Sequence, residues 1–439
     1  MDFSGLLSLP ENLHSLHLSL KKRKLLDAAA IGENVCNFVG LAAELDDGRG
    51  IAETVAGIKD SEGRSSLHLA AAEGNVSICR YLIDELKFDP DLKDDKGDTP
   101  LHHASIRGRP NTTVLLIGKG ANPDVTNDKG LAPLHYAAQI GDARVLRLLL
   151  SRAVNVDALS IAGTPLQRAA CRGDLEAVTV LLHHHANPNI CYPHVVSPLM
   201  ASITVNSLQC VKLLLEAGAN PNAEENGVTP LSMAASEQDA KIIRCLLKAG
   251  ANPNVANREG MTPIEIAVFY GNCQGFQTLF PVTSPIPTCA NWSFEGISSY
   301  LHSKEGRTQI NLKAQEFFEE TKSKAKDAFV EKDYNAAMFL YTKAMSHDPL
   351  DPILLSNRSL CWASLKNGEA ALTDALACIK LKPDWPKAHY RAGSAWRLLG
   401  EFGKAADAFF MGLKLDPINK ELRNAYQEAV EEHMKSVNL

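Results

Sequence analysis

Apolar and polar positions in the first 280 residues recur as a compound unit instead of following one helical or strand-like period. Most units open on a hydroxylated residue, a proline and an aliphatic residue: Thr99-Pro100-Leu101, Thr164-Pro165-Leu166, Ser197-Pro198-Leu199, Thr229-Pro230-Leu231, Thr262-Pro263-Ile264. Ser65-Ser66-Leu67 and Ala132-Pro133-Leu134 are variants, and successive units step by 34, 33, 32, 33, 32 and 33 residues. The opening predicts a short helix: Thr99 can cap it, and Pro100 takes the first helical position, where a missing N–H costs nothing. Nine residues after each opening stands a turn position, held by Gly74, Gly108, Gly141, Gly173, Asn206, Gln238 and Gly271. Glycine and asparagine tolerate left-handed backbone there. Gln238 fits poorly and predicts altered geometry in its unit. A leucine-rich second helix follows, as at 145–150 and 211–215, and ends in a Gly-Ala-Asn-Pro loop such as Gly250-Ala251-Asn252-Pro253.

After Pro281, Pro285 and Pro287 the pattern changes. Ala337, Ala371 and Ala405 fall 34 apart, as do Pro349, Pro383 and Pro417, which frames units starting near Phe318, Pro352 and Pro386. Small and large apolar residues alternate within each unit, as paired helices require for close approach. A last helix is predicted over 419–435. Between the two patterns, Ile297, Tyr300 and Leu301 stand at i, i+3 and i+4 and predict a short amphipathic helix over 292–301 that covers the end of the first array. Residues 303–308 read as a flexible joint.

Periods of 33 and 34 residues with these motifs resemble the ankyrin and tetratricopeptide repeat families, respectively. The resemblance implies an all-α chain of two helical solenoids in tandem: an ankyrin-repeat array, then a three-repeat tetratricopeptide domain with a C-terminal capping helix. The expected division is an N-terminal tail (1–20), an ankyrin domain (21–280), a linker (281–312) and a tetratricopeptide domain (313–439). The ankyrin domain would hold seven repeats and a degenerate cap, because 25–34 runs in the repeat register and aligns Gly32 with Gly74, with an insertion over 46–59. His68, His102 and His135 resemble the family's inter-repeat hydrogen-bonding residue.

Composition supports stacked helices: 45% of residues are apolar but only 6% aromatic. Net charge is −6; of 45 basic and 51 acidic residues, 18 of each lie from Lys313 onward, so the excess belongs to the first part. No nucleic-acid or membrane partner is expected from this balance. Ten cysteines lack zinc spacing, and since several sit where a repeat helix needs a small apolar residue they read as buried free thiols in a reducing compartment. His183-His184-His185 would point in different directions on a helix, so no metal site is expected. Lys21-Lys22-Arg23-Lys24 reads as the solvated end of a following helix, with nuclear import as the alternative. The start of the chain lacks a secretory pattern, and no run suits a membrane span. A cytoplasmic and possibly also nuclear protein is expected. With no P-loop, nucleophile elbow or zinc-protease motif, no enzyme, catalytic residue or cofactor is expected.

Binding is left as the work of both arrays. On the ankyrin side, the hairpin tips at 159–162 and 192–195 are unusually apolar and bulky, and Leu159, Ile161, Tyr192 and His194 mark the candidate surface for an unidentified protein. On the tetratricopeptide side, Lys322 and Lys326 share a helix face, as do Lys387 and Arg391, with Asn357 between them in the middle unit. Four cations and an amide facing one groove suit a terminal carboxylate with an acidic side chain beside it. Here Ser356-Asn357-Arg358-Ser359 and the stretch 381–391 resemble the carboxylate-clamp domains of the heat-shock organising co-chaperone. The resemblance implies that Lys322, Lys326, Asn357, Lys387 and Arg391 bind the Glu-Glu-Val-Asp tails of the seventy- and ninety-kilodalton heat-shock chaperones. Lys326 departs from the family, which has asparagine there. An adaptor joining such a tail to a client or second partner is the expected function; a scaffold or inhibitor binding other acidic C-termini or internal peptides, unrelated to chaperones, is the alternative.

Overall fold

The computed structural model describes residues 11–32, 34–190 and 195–437, and every regular element among them is helical. The chain forms two compact units, Met1–Pro221 with Lys241–Ala251, and Asn222–Ala240 with Asn252–Leu439.

The first unit begins with α1 (Glu11–Ile31), α2 (Val35–Leu45) and α3 (Ile51–Ala56). Helix pairs follow: α4 (Ser66–Glu73) and α5 (Val76–Asp84), α6 (Pro100–Ile106) and α7 (Pro110–Gly118), α8 (Pro133–Ile140) and α9 (Ala143–Leu150). Then come α10 (Pro165–Arg172) and α11 (Leu175–His183), and α12 (Pro198–Thr204) and α13 (Leu208–Glu216). The even-numbered helices from α4 to α12 stack in one row and the odd-numbered ones from α5 to α13 in another. Leu67, Leu101, Leu134, Leu166 and Leu199, one from each opening motif, are buried between the rows. Helix α1 stacks on α4 as an end cap, and Gly32 takes the left-handed conformation of Gly74.

Two expectations change here. Lys21–Lys24 does not precede a helix: α1 begins at Glu11, so 11–20 is helix and the basic run lies within it. Nothing between Pro10 and Gly32 can break a helix. The cysteines are not uniformly buried either; Cys79 and Cys210 are, but Cys36 and Cys171 are exposed.

The opening motif acts as a hydrogen-bonded bridge. Nδ1 of His68 accepts the backbone N–H of Ser65 at 3.1 Å, while Nε2 donates to the carbonyl of Asp98 in the next hairpin at 3.1 Å. His102 joins Thr99 to Leu131, and His135 joins Ala132 to Ala158 and Gly163. One repeat on, Gln167 does the same with an amide: its oxygen accepts from Thr164 at 2.6 Å and its nitrogen donates to the Val196 carbonyl at 3.1 Å.

The second unit starts with α14 (Pro230–Ser236); α15 (Ala240–Lys248) counts with the first unit from Lys241 onward. Gln238, after α14, adopts φ +64° and so holds the same left-handed turn as the glycines, contrary to the altered geometry expected. Next come α16 (Pro263–Phe269), α17 (Cys273–Leu279), α18 (Phe294–His302) and α19 (Lys304–Val330). Helix α18 packs on α16 through buried Ile297, Tyr300 and Leu301, while Phe276 meets Phe294 edge-on and Phe280 stacks on Trp292.

The expected joint at 303–308 is absent. Ser303 caps α19, its Oγ accepting from Gly306 N at 3.0 Å, and the helix then runs unbroken for 27 residues. Its early turns lie against the 257–261 hairpin: a Cβ on Gly260 would stand 2.1 Å from the Ile310 carbonyl oxygen. Lys313 reaches the fully buried carboxylate of Glu265 at 3.5 Å, and Lys343 pairs with Glu224.

The remaining helices are α20 (Tyr334–Met345), α21 (Pro352–Ser364), α22 (Gly368–Leu381), α23 (Pro386–Leu398), α24 (Phe402–Leu415) and α25 (Lys420–Val437), each packed on the one before. Ala325, Ala337, Ala371 and Ala405 are buried at helix crossings. Gly393 leaves room for the Phe409 ring, and α25 covers α24.

Candidate peptide-binding groove

Helices α19, α21 and α23 are the first members of the three C-terminal pairs, and they carry the five candidate cations and amide. Most of the motif around Asn357 is structural. Ser356 and Ser359 are buried, and Arg358 is forked onto Asp374 with contacts of 2.8 and 2.7 Å. Asn357 remains partly exposed and hydrogen-bonds the Tyr341 hydroxyl.

Arg391 is the best-placed member. Its Nε donates to the Ser356 carbonyl at 3.3 Å, next to Asn357, and its guanidinium lies over Tyr390. Burial lowers the Arg391 pKa. Burial and the neighbouring guanidinium lower that of Lys387, one turn earlier. Among the described residues neither makes an ion pair, unlike Arg358 and Arg397 of the same array. The thiols beside Arg391 supply no charge, because burial pushes Cys361 up to about 12 and Cys378 up to about 11. Asp416 and Glu421 line the same cleft, and Glu421 acts on Arg391 through space, but neither forms an ion pair with the two partly desolvated cations, which suits them to an anion from outside.

Lys387 and Arg391 line a cleft of about 390 Å³ with Trp385, Tyr390 and Asp416. The other three candidates lie outside it. Lys322 stands 4.0 Å from Asp351, the cap of α21, and over the Phe318 ring. Lys326 is exposed, and among the described residues no carboxylate pairs with it.

In the first unit, Ser160 Oγ donates to the Gly163 carbonyl and closes a tight tip, leaving Leu159 52% and Ile161 59% exposed. Tyr192 and His194 lie outside the described residues. One donor cluster went unnoticed in the sequence: Asp94, Asp98 and His103. Its groups are engaged with protein, His103 with Asp94 at 2.9 Å and Asp98 with Asn127 at 2.8 Å.

A family model described as ankyrin repeats matches in three copies, over 26–127, 108–191 and 196–285, more than half of the chain. The chain belongs to the ankyrin-repeat family. Over its tetratricopeptide region this ankyrin-repeat protein is 43% identical across 110 residues to the STIP1 homolog of Dictyostelium discoideum, covering 25% of this chain and 20% of that one. It is 45% identical across 106 residues to the heat shock protein sti1 homolog of Schizosaccharomyces pombe, covering 24% and 18%. Identity to the Hsp70-Hsp90 organizing protein 2 of Arabidopsis thaliana is 39% across 135 residues, covering 30% and 24%. The chain thus spans less than a quarter of the length of each of these relatives. Among the described residues, no helix is long and apolar enough to cross a membrane. The ankyrin-repeat protein joins two helical-repeat arrays in one chain, an architecture for protein interaction.

Proposed function

We propose that this ankyrin-repeat protein is a non-catalytic co-chaperone adaptor of the cytoplasm. Its tetratricopeptide groove would hold the acidic C-terminal tail of a seventy- or ninety-kilodalton heat-shock chaperone, and its ankyrin repeats a client. The observation that carries this reading is the Lys387–Arg391 pair, partly desolvated and engaged in no ion pair among the described residues, beside Asn357. The likeness to proteins named as Hsp70-Hsp90 organizing supports it. Lys322, Lys326, Asn357, Lys387 and Arg391 are the proposed carboxylate-binding set, and Leu159 and Ile161, with Tyr192 and His194, the proposed ankyrin surface. Holding both partners on one chain raises their effective concentration.

A charge-assisted hydrogen bond contributes roughly 1.5–3 kcal/mol, so loss of one clamp cation weakens a tail about ten-fold or more. Calorimetric titration of the full chain with a Glu-Glu-Val-Asp peptide tests this. Micromolar binding is expected, lost on C-terminal amidation and weakened in Lys387→Ala and Arg391→Ala. Binding that ignores amidation refutes the clamp, and binding confined to other acidic tails makes the protein a scaffold unrelated to chaperones.

A further inference from the structure

Along the even-numbered row of the first unit, the fourth, seventh and eighth residues after each opening residue stand at i, i+3 and i+4 and share one face. On α6, α8, α10, α12 and their caps those positions hold three arginines, Arg107, Arg168 and Arg172, and no aspartate or glutamate, although the chain's excess of acid lies in this part. Ile106, Ile140 and Val205, on the same face, are exposed. Arg107 and Arg172 are exposed as well, and among the described residues none of the three arginines makes an ion pair. Arg109 and Arg147 of the same unit, by contrast, meet Glu73 and Glu176 at 3.0 Å. Arg168 is half-buried. Its Nη2 donates to the neutral side-chain oxygen of Gln139 one repeat earlier, and its Nε is buried and, among the described residues, without a partner. Burial lowers its pKa, as it does that of Arg391. The acids of the neighbouring turns are committed elsewhere: Asp94 is buried against His103 and Asp98 against Asn127, while Asp142 and Asp174 cap α9 and α11.

We propose that this face binds an acidic, extended segment of a partner protein, its carboxylates on Arg107, Arg168 and Arg172 and its apolar side chains on Ile106, Ile140 and Val205. A guanidinium already stripped of part of its water gains more from an incoming carboxylate than a solvated one does. Three unneutralised cations along one row reject a basic partner by like charge. The spacing follows from the stacking. Neighbouring helices pack about 8–10 Å apart, which an extended chain spans in about three residues, so a segment with an apolar and an acidic residue in every three fits the row. The tip that leads into α10 exposes Leu159 and Ile161, so this inference deepens the reading of these repeats as the client's site and rests on it.

The test is fluorescence anisotropy of the full chain carrying Lys387→Ala and Arg391→Ala, which silences the tail groove. The labelled probes are C-terminally amidated peptides built of repeated Leu-Glu-Gly, Leu-Gln-Gly or Leu-Lys-Gly units. The glutamate peptide is expected to bind about ten-fold tighter than the glutamine one, and the lysine peptide more weakly than either. In the same background Arg168→Gln should cut the preference to about two-fold. Arg172→Glu, at an exposed position that leaves the fold intact, should do the same. Arg80→Gln, at an exposed arginine of α5 in the other row, should leave it unchanged. Equal or reversed affinities would overturn the acidic partner alone, as would a preference that survives Arg168→Gln and Arg172→Glu or falls as far in Arg80→Gln. Binding by none of the three peptides would overturn this inference and the client-binding reading of Leu159 and Ile161 with it.

Discussion

Replacing His68 and His135 by glutamine should remove their share of the acid sensitivity of the first array without loosening it at neutral pH. In both residues Nδ1 accepts a backbone N–H and Nε2 donates to the next repeat, so only the neutral ring fits. Burial pulls both pKa values from 6.5 down to about 4, and that of His102 downward as well. A folded-state pKa below the unfolded one gives stability that is complete above pH 6.5 and disappears as pH falls toward 4. At pH 5 each ring has lost about 1.5 × 1.36, or roughly 2 kcal/mol. The pair then accounts for about 4 kcal/mol, a large share of the 5–15 kcal/mol typical of a domain. Glutamine is the right replacement because Gln167 already makes the bridge in the fourth repeat. Burial raises Asp60 and Asp94, but hydrogen bonds from Arg64 and His103 outweigh it and hold both below the ordinary value, so they matter only at lower pH. Burial raises Asp91 and Asp157, whose protonation favours the folded state as pH falls and so opposes the histidine loss without depending on it. Repeat arrays do not unfold in one step, so the assay is hydrogen exchange with mass spectrometry, reading peptides over α4 to α8 at pH 7 and pH 5. Wild-type protection should fall by about 2 kcal/mol for each of these two histidines, and the double variant should fall by about 4 kcal/mol less than the wild type, keeping the response of His102. An equal fall in both proteins would refute the reasoning and assign the acid response to other groups.

Two further outcomes concern the second array, alongside the peptide titrations above. Gly393→Ala would place a Cβ 2.6 Å from the Phe409 ring, and overpacking of this kind should cost about 1–3 kcal/mol, seen as a lowered midpoint in thermal unfolding followed by circular dichroism. A midpoint unchanged from wild type would mean that the α23–α24 crossing relaxes freely. Arg358→Ala leaves Asp374 buried without its partner and should destabilise by up to about 3 kcal/mol, whereas Asn357→Ala should weaken tail binding with little change in the midpoint. Equal effects of the two substitutions on stability would contradict the division drawn within this motif.

The repeat register, the turn glycines and the proline-led helices were legible in the sequence because each depends on local backbone chemistry at a fixed spacing. The five candidate binding residues were legible as residue types in that register. What local pattern could not carry was partnership. Gln167 bridges repeats as the histidines do, but only the position of the Val196 carbonyl reveals it. Glu265 holds the same site with a carboxylate, which Lys313 from α19 balances. The supposed joint at 303–308 is polar and looked flexible, yet Ser303 caps it into a helix whose next turns are held by the close approach at Gly260.

The charges tell the same story. Sequence alone determined which residues are charged and, through the helical repeat, which of them share a face. Tertiary structure decided which charges cancel: Arg358 and Arg397 are neutralised by Asp374, Glu428 and Glu432, while Lys387 and Arg391 are left partly desolvated and, among the described residues, outside any ion pair. Burial and the distance between charges set the energy of an ion pair, and both arise only when helices distant in the chain pack together.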